Sequence, residues 1–219
     1  MIIVHHLEQS RSFRILWALE EAGLDYQVEA YQRDPETRLA PDEARGLHPA
    51  GKFPMMELEG RVLAESGAIL EAIADQAEGL RPAEGRALDD YRYWLHAAEG
   101  SVMPPLVSKY LWSRMIEKSP FFIKPVAKLL AGKADAAYLG PTIRTLLAHV
   151  EGHLAQNTWF AGDEFSMADI QMAYPVAAAQ ARMGGGQSMP HMTKFLERIE
   201  TRLAYRAARN KGGAMLLTG

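Results

Sequence analysis

The chain has 219 residues, 48% of them hydrophobic and 23% charged, and 24 Lys and Arg against 27 Asp and Glu leave a formal charge of -3. A chain of this length buries roughly 70% of its unfolded surface, which suffices for a core without staples, and its average composition excludes disordered and fibrous classes. There is no basic excess to draw a phosphate backbone, no apolar run near the roughly 20 residues that cross a bilayer, and no secretory leader at Met1 to His6, so no nucleic acid, no membrane and a cytoplasmic location are expected.

In chain order, Ile2 to Leu7 is apolar and β-branched and predicts a strand. Glu8-Gln9-Ser10 turns the chain. Phe13, Leu16, Trp17 and Glu20 then fall at helical spacing up to a Gly23 stop. Tyr26 to Tyr31 predicts a second strand, Asp34-Pro35 breaks it, and residues 36–48 hold at most one short helix. Phe53 to Leu58, Glu59-Gly60 and Arg61 to Ala64 read as a hairpin with an acidic-Gly turn. Ser66 is expected to cap a helix carrying Ile69, Leu70 and Ile73 and ending near Gly79. This β-α-β-(α)-β-β-α order, with antiparallel strands in a tight hairpin, predicts an α/β thioredoxin-like N-terminal domain over residues 1–79.

Pro, Gly and charge in residues 80–86 suit a linker. Everything after it, residues 87–219, has helical period: Leu88, Tyr91, Leu95 and Ala98 in one stretch, Ile143, Leu147, Val150 and Leu154 in another. An all-α C-terminal domain is expected, with Pro104-Pro105 bending or ending its first helix. Ser166 and Asp169 form a capping box, and Phe165 and Ile170 a hydrophobic staple, for a structural helix start.

The chain has no cysteine, which removes disulfides, thiolate zinc sites and cysteine nucleophiles; thiol chemistry would need a thiol carried in by a ligand. Ser10 and Ser12 stand where a strand meets a helix, whose free N–H groups and dipole favour a negative ligand atom, and a hydroxyl there can donate to a thiolate. The plain alternative is that Ser10 is an N-cap. Glu65 and Ser66 occupy the next strand-to-helix junction, offering a carboxylate for an ammonium group and a hydroxyl for a carboxylate, or again only a cap. Between the junctions lies Gly51-Lys52-Phe53-Pro54, where Lys52 can meet another carboxylate. A cis Pro54 would turn the Phe53 backbone outward toward an extended peptide.

Three blocks, Ser10 to Tyr26, His48 to Pro54 and Leu63 to Ile69, together with Phe160 to Asp169, resemble the cytosolic glutathione transferases, especially bacterial and fungal members with an active-site serine. The resemblance implies that glutathione is the co-substrate, that Ser10 stabilises its thiolate with Ser12 as the fallback, and that Phe53 beside cis Pro54 pairs with its cysteinyl part. It implies further that Glu65 and Ser66 recognise the γ-glutamyl end and that Lys52 faces the glycyl carboxylate. Phe53 departs from the smaller or β-branched residue usual there. The first tyrosine is Tyr26 and cysteine is absent, so the serine type remains. The implied electrophile site lies between the domains, with Met103, Val107 and Tyr110 as an apolar wall for a small hydrophobic electrophile; core or dimer-interface roles compete for these three. A homodimer is implied as well. Conjugation, peroxide reduction and dehalogenation all use the same thiolate, and a glutathione-binding module without turnover is the alternative.

No metal is expected. His149 and His153 have Glu151 between them at the wrong spacing for a metalloprotease helix and read as a solvated face. His5 and His6 are strand neighbours and point to opposite sides. Gly184-Gly185-Gly186 lacks the context of a dinucleotide loop and reads as a mobile loop, and Arg206 to Lys211 reads as a solvated helix end.

Overall fold

The computed structural model describes residues 1–37, 39–182 and 189–215, so the expectation for Gly184-Gly185-Gly186 lies outside the described residues. The strand β1 (Ile2–Leu7) is the spine of a four-stranded sheet of order β2-β1-β3-β4. β2 (Tyr26–Tyr31) runs parallel to it, with Ile2 opposite Tyr26; β3 (Met55–Leu58) runs antiparallel, with Ile2 opposite Leu58; β4 (Arg61–Ala64) closes the hairpin. A parallel pair needs a crossover, which α1 (Phe13–Ala22) supplies. Gly23, at φ 63°, ends α1 by donating to the Glu20 carbonyl while Leu24 donates to that of Leu19. Glu59 and Gly60 both have positive φ, 51° and 75°, the primed turn whose twist suits a hairpin.

After the short α2 (Ala44–Leu47) and the hairpin, α3 (Ser66–Ala74) stops well before Gly79. The expected Ser66 cap is not made. Ser66 is the first residue of the helix, the position before it is Glu65 at φ 72°, and no side chain caps that end. Ser12 stands directly before α1 and makes no side-chain cap bond, while Ser10, three residues before the helix, accepts the Ser12 N–H as a cap of the preceding turn. The Ser66 hydroxyl is drawn into tertiary bonds instead, whereas Ser10 bonds within its own turn, to Leu7 and Ser12.

The second half of the chain holds α4 (Gly85–Ala97), α5 (Met103–Lys118), α6 (Lys124–Ala134), α7 (Gly140–Leu154), α8 (Met167–Arg182), α9 (Pro190–Thr201) and α10 (Leu203–Gly212). Pro104 and Pro105 do not end the first long helix. A π turn at Ala98–Val102 leads from α4 into α5, so the prolines fall in the first turn of α5, where a missing N–H is tolerated. Leu80, in the stretch before α4, is buried, and its carbonyl accepts the Met167 N–H at 2.9 Å.

The start of α8 forms one arm of the expected capping box: the Asp169 carboxylate reaches back to Ser166, but the Asp169 N–H donates to the Ser166 carbonyl and not to its hydroxyl. Asp169 accepts from the Ser166 N–H and hydroxyl and, nine residues back, from the Phe160 N–H at 2.8 Å. Burial pushes its carboxyl up to about 7 against these bonds and the Arg202 charge. Phe165 and Ile170 are both buried in the main core.

Two surface readings need correction. His149 is exposed as expected, though it stacks on Trp94 at 4.9 Å between centroids, whereas His153 is half-buried against Trp94 and its Nε2 donates to the Phe160 carbonyl. Trp94 and Phe160 offer flat apolar faces that an imidazole covers better than water does. Arg206 to Lys211 is not merely a solvated end either. The helix α10 lays Tyr205 and Ala208 inward against α1, where Tyr205 meets Phe13 and Trp17 edge to face at 5.5 and 5.1 Å. Lys211 pairs with Glu20, and Arg202 with Glu21. No helix of the described residues is long and apolar enough to cross a membrane.

Candidate active site

The cleft of interest, about 850 Å³, opens between the sheet domain and α5. Its wall takes Leu7, Ser10 and Arg11 from the β1–α1 corner, Lys52 and Phe53 from the segment before β3, and Met103, Pro104 and Val107 from α5. Four cations, Arg11, Arg33, Arg45 and Lys52, face it against Asp42 and Glu99, so the cleft favours a ligand with net negative charge.

The corner after β1 is tight. Gln9 sits at φ 48°, a left-handed conformation that a side chain adopts at a cost of order 1 kcal/mol. The turn swings Ser10 to the cleft and Ser12 beneath it. Ser10 is 7% exposed and lines the cleft; Ser12 is wholly buried and does not. Their hydroxyl oxygens are 2.8 Å apart. The Leu7 carbonyl accepts the Ser10 hydroxyl at 2.8 Å, and the Ser10 oxygen accepts the Ser12 N–H; the Ser12 oxygen accepts the Leu7 N–H and stands 3.0 Å from the Leu7 carbonyl and 2.9 Å from His6 Nδ1. Of the two serines, Ser10 is thus the one a cleft ligand reaches.

The Phe53–Pro54 peptide is cis, as the family resemblance implied. The Phe53 ring is buried, 5.1 Å from Tyr31, in a small cluster with Leu7, Ala44 and Met55, and Phe53 also lines the cleft. Lys52 is exposed. Pro54 is buried behind Phe53.

At the second junction Glu65 is exposed at positive φ, and Ser66 is fully buried. Neither lines the main cleft described above. The Ser66 oxygen accepts from Arg14 Nη1 at 3.2 Å and from Gln171 Nε2 of α8 at 3.0 Å. Both lone pairs are thereby taken, and the hydroxyl proton is what Ser66 has left to give. Arg14, without exposed surface, also meets Glu99 of the π turn at 2.6 Å, and Arg11 meets the other Glu99 oxygen at 2.8 Å. Burial lowers the Arg14 pKa, and Glu99 holds it up; for Glu99 itself burial is outweighed by the two guanidinium groups, and its pKa falls. Glu99 is therefore a carboxylate that ties the first helix to the helical domain.

Met103 and Val107 face the cleft; Tyr110 is half-buried farther along α5 and is not among the lining residues, about 10 Å of helix axis beyond Met103. Sequence reasoning passed over Arg11, Glu99 and Tyr174 of α8, which do line it. Arg11 was findable, since the residue between the two serines must sit at the same corner. Nothing local marked Glu99, which depends on the π turn, or Tyr174, whose ring lies 5.1 Å from the Arg14 guanidinium carbon.

Residues 10–76 match the family described as Glutathione S-transferase, N-terminal domain, and residues 104–202 the Glutathione S-transferase, C-terminal domain. The chain is 32% identical to Glutathione S-transferase 1 of Saccharomyces cerevisiae, over 98% of this chain and 97% of that one. Among solved structures, a glutathione S-transferase from Actinobacillus pleuropneumoniae superposes with a TM-score of 0.79 at 29% identity, covering 98% of this chain and 94% of the other. A sphingomonad glutathione S-transferase complexed with glutathione superposes with a TM-score of 0.71 at 26% identity, over 96% and 98% of the two chains.

Proposed function

The chain belongs to the glutathione S-transferase family and is a transferase; from this we propose that it binds glutathione along the sheet domain, with Ser10 donating to the thiolate. The observation that carries the reading is the placement of Ser10, Lys52 and Phe53 on one cationic cleft, in a chain with no thiol of its own. A free thiol of pKa near 8.5 is mostly protonated at neutral pH, so a hydrogen bond given to the anion and not to the thiol supplies the catalytic effect.

In this reading Phe53 pairs through its backbone beside Pro54, Lys52 meets the glycyl carboxylate, Glu65 takes the ammonium group, and Ser66 donates its remaining proton to the γ-glutamyl carboxylate. Ser12 supports Ser10 from below. The electrophile is a small hydrophobic molecule held against Met103 and Val107, with Tyr110 at the far end of that wall. The sheet domain ends by residue 79, the helical domain begins at 87, and the protein works as a homodimer in the cytoplasm. Conjugation is the reaction proposed; peroxide reduction and dehalogenation would draw on the same thiolate.

Titration calorimetry with glutathione, followed by a conjugation assay on wild type and Ser10→Ala, tests this. Binding with a large loss of turnover in the variant supports it. Absence of binding to the wild-type protein sinks it, and an unchanged rate in Ser10→Ala with loss in Ser12→Ala moves the role to Ser12.

A further inference from the structure

The strand-neighbour histidines do point to opposite sides, and one of them reaches the candidate active site from behind. His5 turns to Glu57 and Tyr31. His6, 4% exposed, turns the other way: its Nε2 is 3.0 Å from the Gly212 carbonyl of α10, and its Nδ1 is 2.9 Å from the Ser12 oxygen. A carbonyl only accepts, so Nε2 carries the proton. In the neutral ring Nδ1 is then the acceptor, and the Ser12 hydroxyl donates to it.

With the Ser12 proton so committed, its oxygen receives the Leu7 N–H and can receive the Ser10 hydroxyl. The Leu7 carbonyl, 2.8 Å from the Ser10 oxygen and 3.0 Å from that of Ser12, competes for these protons; when the Ser10 hydroxyl turns from it to Ser12, the three groups form one directed chain from the cleft to α10. Gly212 makes the inner end possible. A β-carbon there would meet Leu16 Cδ1 at 2.3 Å and His6 Nε2 at 3.1 Å, so only glycine lets α10 come this close to the imidazole.

We propose, on the basis of the glutathione reading above, that His6 is the destination of the thiol proton, reached through Ser10 and Ser12. The Ser10 oxygen presents its outer side to the cleft, where a thiol donates to it. On ionisation the thiol proton moves to the Ser10 oxygen, the Ser10 proton to the Ser12 oxygen, and the Ser12 proton to His6 Nδ1. Three O–H or N–H bonds form, and one S–H and two O–H bonds break. The sulfur keeps the electron pair, and the imidazole becomes imidazolium. Afterwards each donor points outward, so Ser10 donates to the thiolate that it has just helped to create. His6 touches no substrate and is a positioning residue acting through Ser12.

The charged surroundings suit a proton held only on demand. Burial lowers the affinity of His6 for a proton, and the Gly212 bond and the Glu8 charge oppose that. On α10, Lys211 is paired with Glu20 of α1, and Arg209 lies beside Tyr205. Of the basic groups on α1, Arg14 is bound to Glu99. The ring is therefore neutral until a thiolate appears at the other end of the chain, and the pair of opposite charges is what holds the proton on it.

Nitrogen NMR of the histidine-labelled full chain reads the step directly. On addition of glutathione the His6 Nδ1 signal is expected to move from the imine to the imidazolium position, and S-methylglutathione, which has no thiol proton, is expected to leave it in place. His6→Asn keeps an oxygen acceptor near Ser12 but takes up no proton. Thiolate absorbance of its glutathione complex should titrate about one pH unit higher than wild type, with glutathione affinity kept. Ser12→Ala, which interrupts the same chain without touching the histidine, should shift the titration in the same direction. An unmoved Nδ1 signal, or a wild-type titration in either variant, overturns the relay. If Ser10→Ala at the same time abolishes the bound thiolate, the Ser10 reading stands and only the relay falls; if Ser10→Ala leaves the thiolate intact, the parent reading falls first.

Discussion

The two strand-to-helix junctions of the sheet domain look alike in sequence and differ in what holds them. In each, a non-glycine residue at positive φ, Gln9 or Glu65, stands directly before a serine. At the first junction the serine pair is tied to its own strand and, through His6, to α10. At the second, Ser66 is tied to Arg14 and, 105 residues away, to Gln171 of α8. One junction leaves a hydroxyl at the cleft surface, suited to chemistry. The other is a clamp between domains, suited to fixing one end of a ligand, and the difference arises from what each helix packs against.

The sharpest break between them is catalytic. Ser10→Ala should lower kcat by about 100-fold, the scale of losing one donor to a developing anion, with KM for glutathione little changed; steady-state conjugation kinetics checks both numbers, and an equal rise in KM would erase the distinction. Next in size is Glu99→Gln. It leaves the buried Arg14 without its counter-charge and should cost about 2 kcal/mol in urea denaturation, below the full penalty for a broken buried pair because Glu99 is part exposed. The Ser66 junction should loosen with it, seen as a raised KM for glutathione. Ser66→Ala on its own should raise that KM by about 10-fold, one lost hydrogen bond to a charged group, with kcat nearly kept.

The smallest effect is a pH dependence confined to the second junction's support. Asp169 anchors α8, the helix that carries Gln171. Its folded pKa of about 7 lies above the ordinary 3.8, so its contribution to stability is full below about pH 4 and is lost as pH rises through 7. His6 works oppositely: its pKa is lowered in the fold, so stability rises with pH up to the ordinary 6.5. The two partly cancel in wild type. The difference between wild type and Asp169→Asn isolates the first, and denaturation at pH 6 and pH 8 should show that difference shrinking by about 1 kcal/mol.

What was legible in the sequence was local. Gly23, the Glu59-Gly60 turn and the helix start from Phe165 to Ile170 each carry their signal within a few residues; the first two formed as read, and the third formed with the Asp169 arm of its box alone. The strand pattern and its helix sufficed for the thioredoxin-like order of elements. Ser66 departs from the expected cap because its competing partners are distant: Arg14 is 52 residues from it and Gln171 is 105. The prolines of α5 misled for a related reason, since the rule that they break helices holds inside a helix and not in the first turn after a π segment. No spacing rule reaches across such separations.

The helix α10 belongs by sequence to the second half and by contact to the first, where it covers α1. During synthesis the sheet domain leaves the ribosome long before its cover exists, so Phe13 and Trp17 face water on that side until α10 arrives. An N-terminal fragment cut after residue 79 would thus carry the Ser10 corner but expose a greasy helix, and is expected to clump more readily than the whole polypeptide.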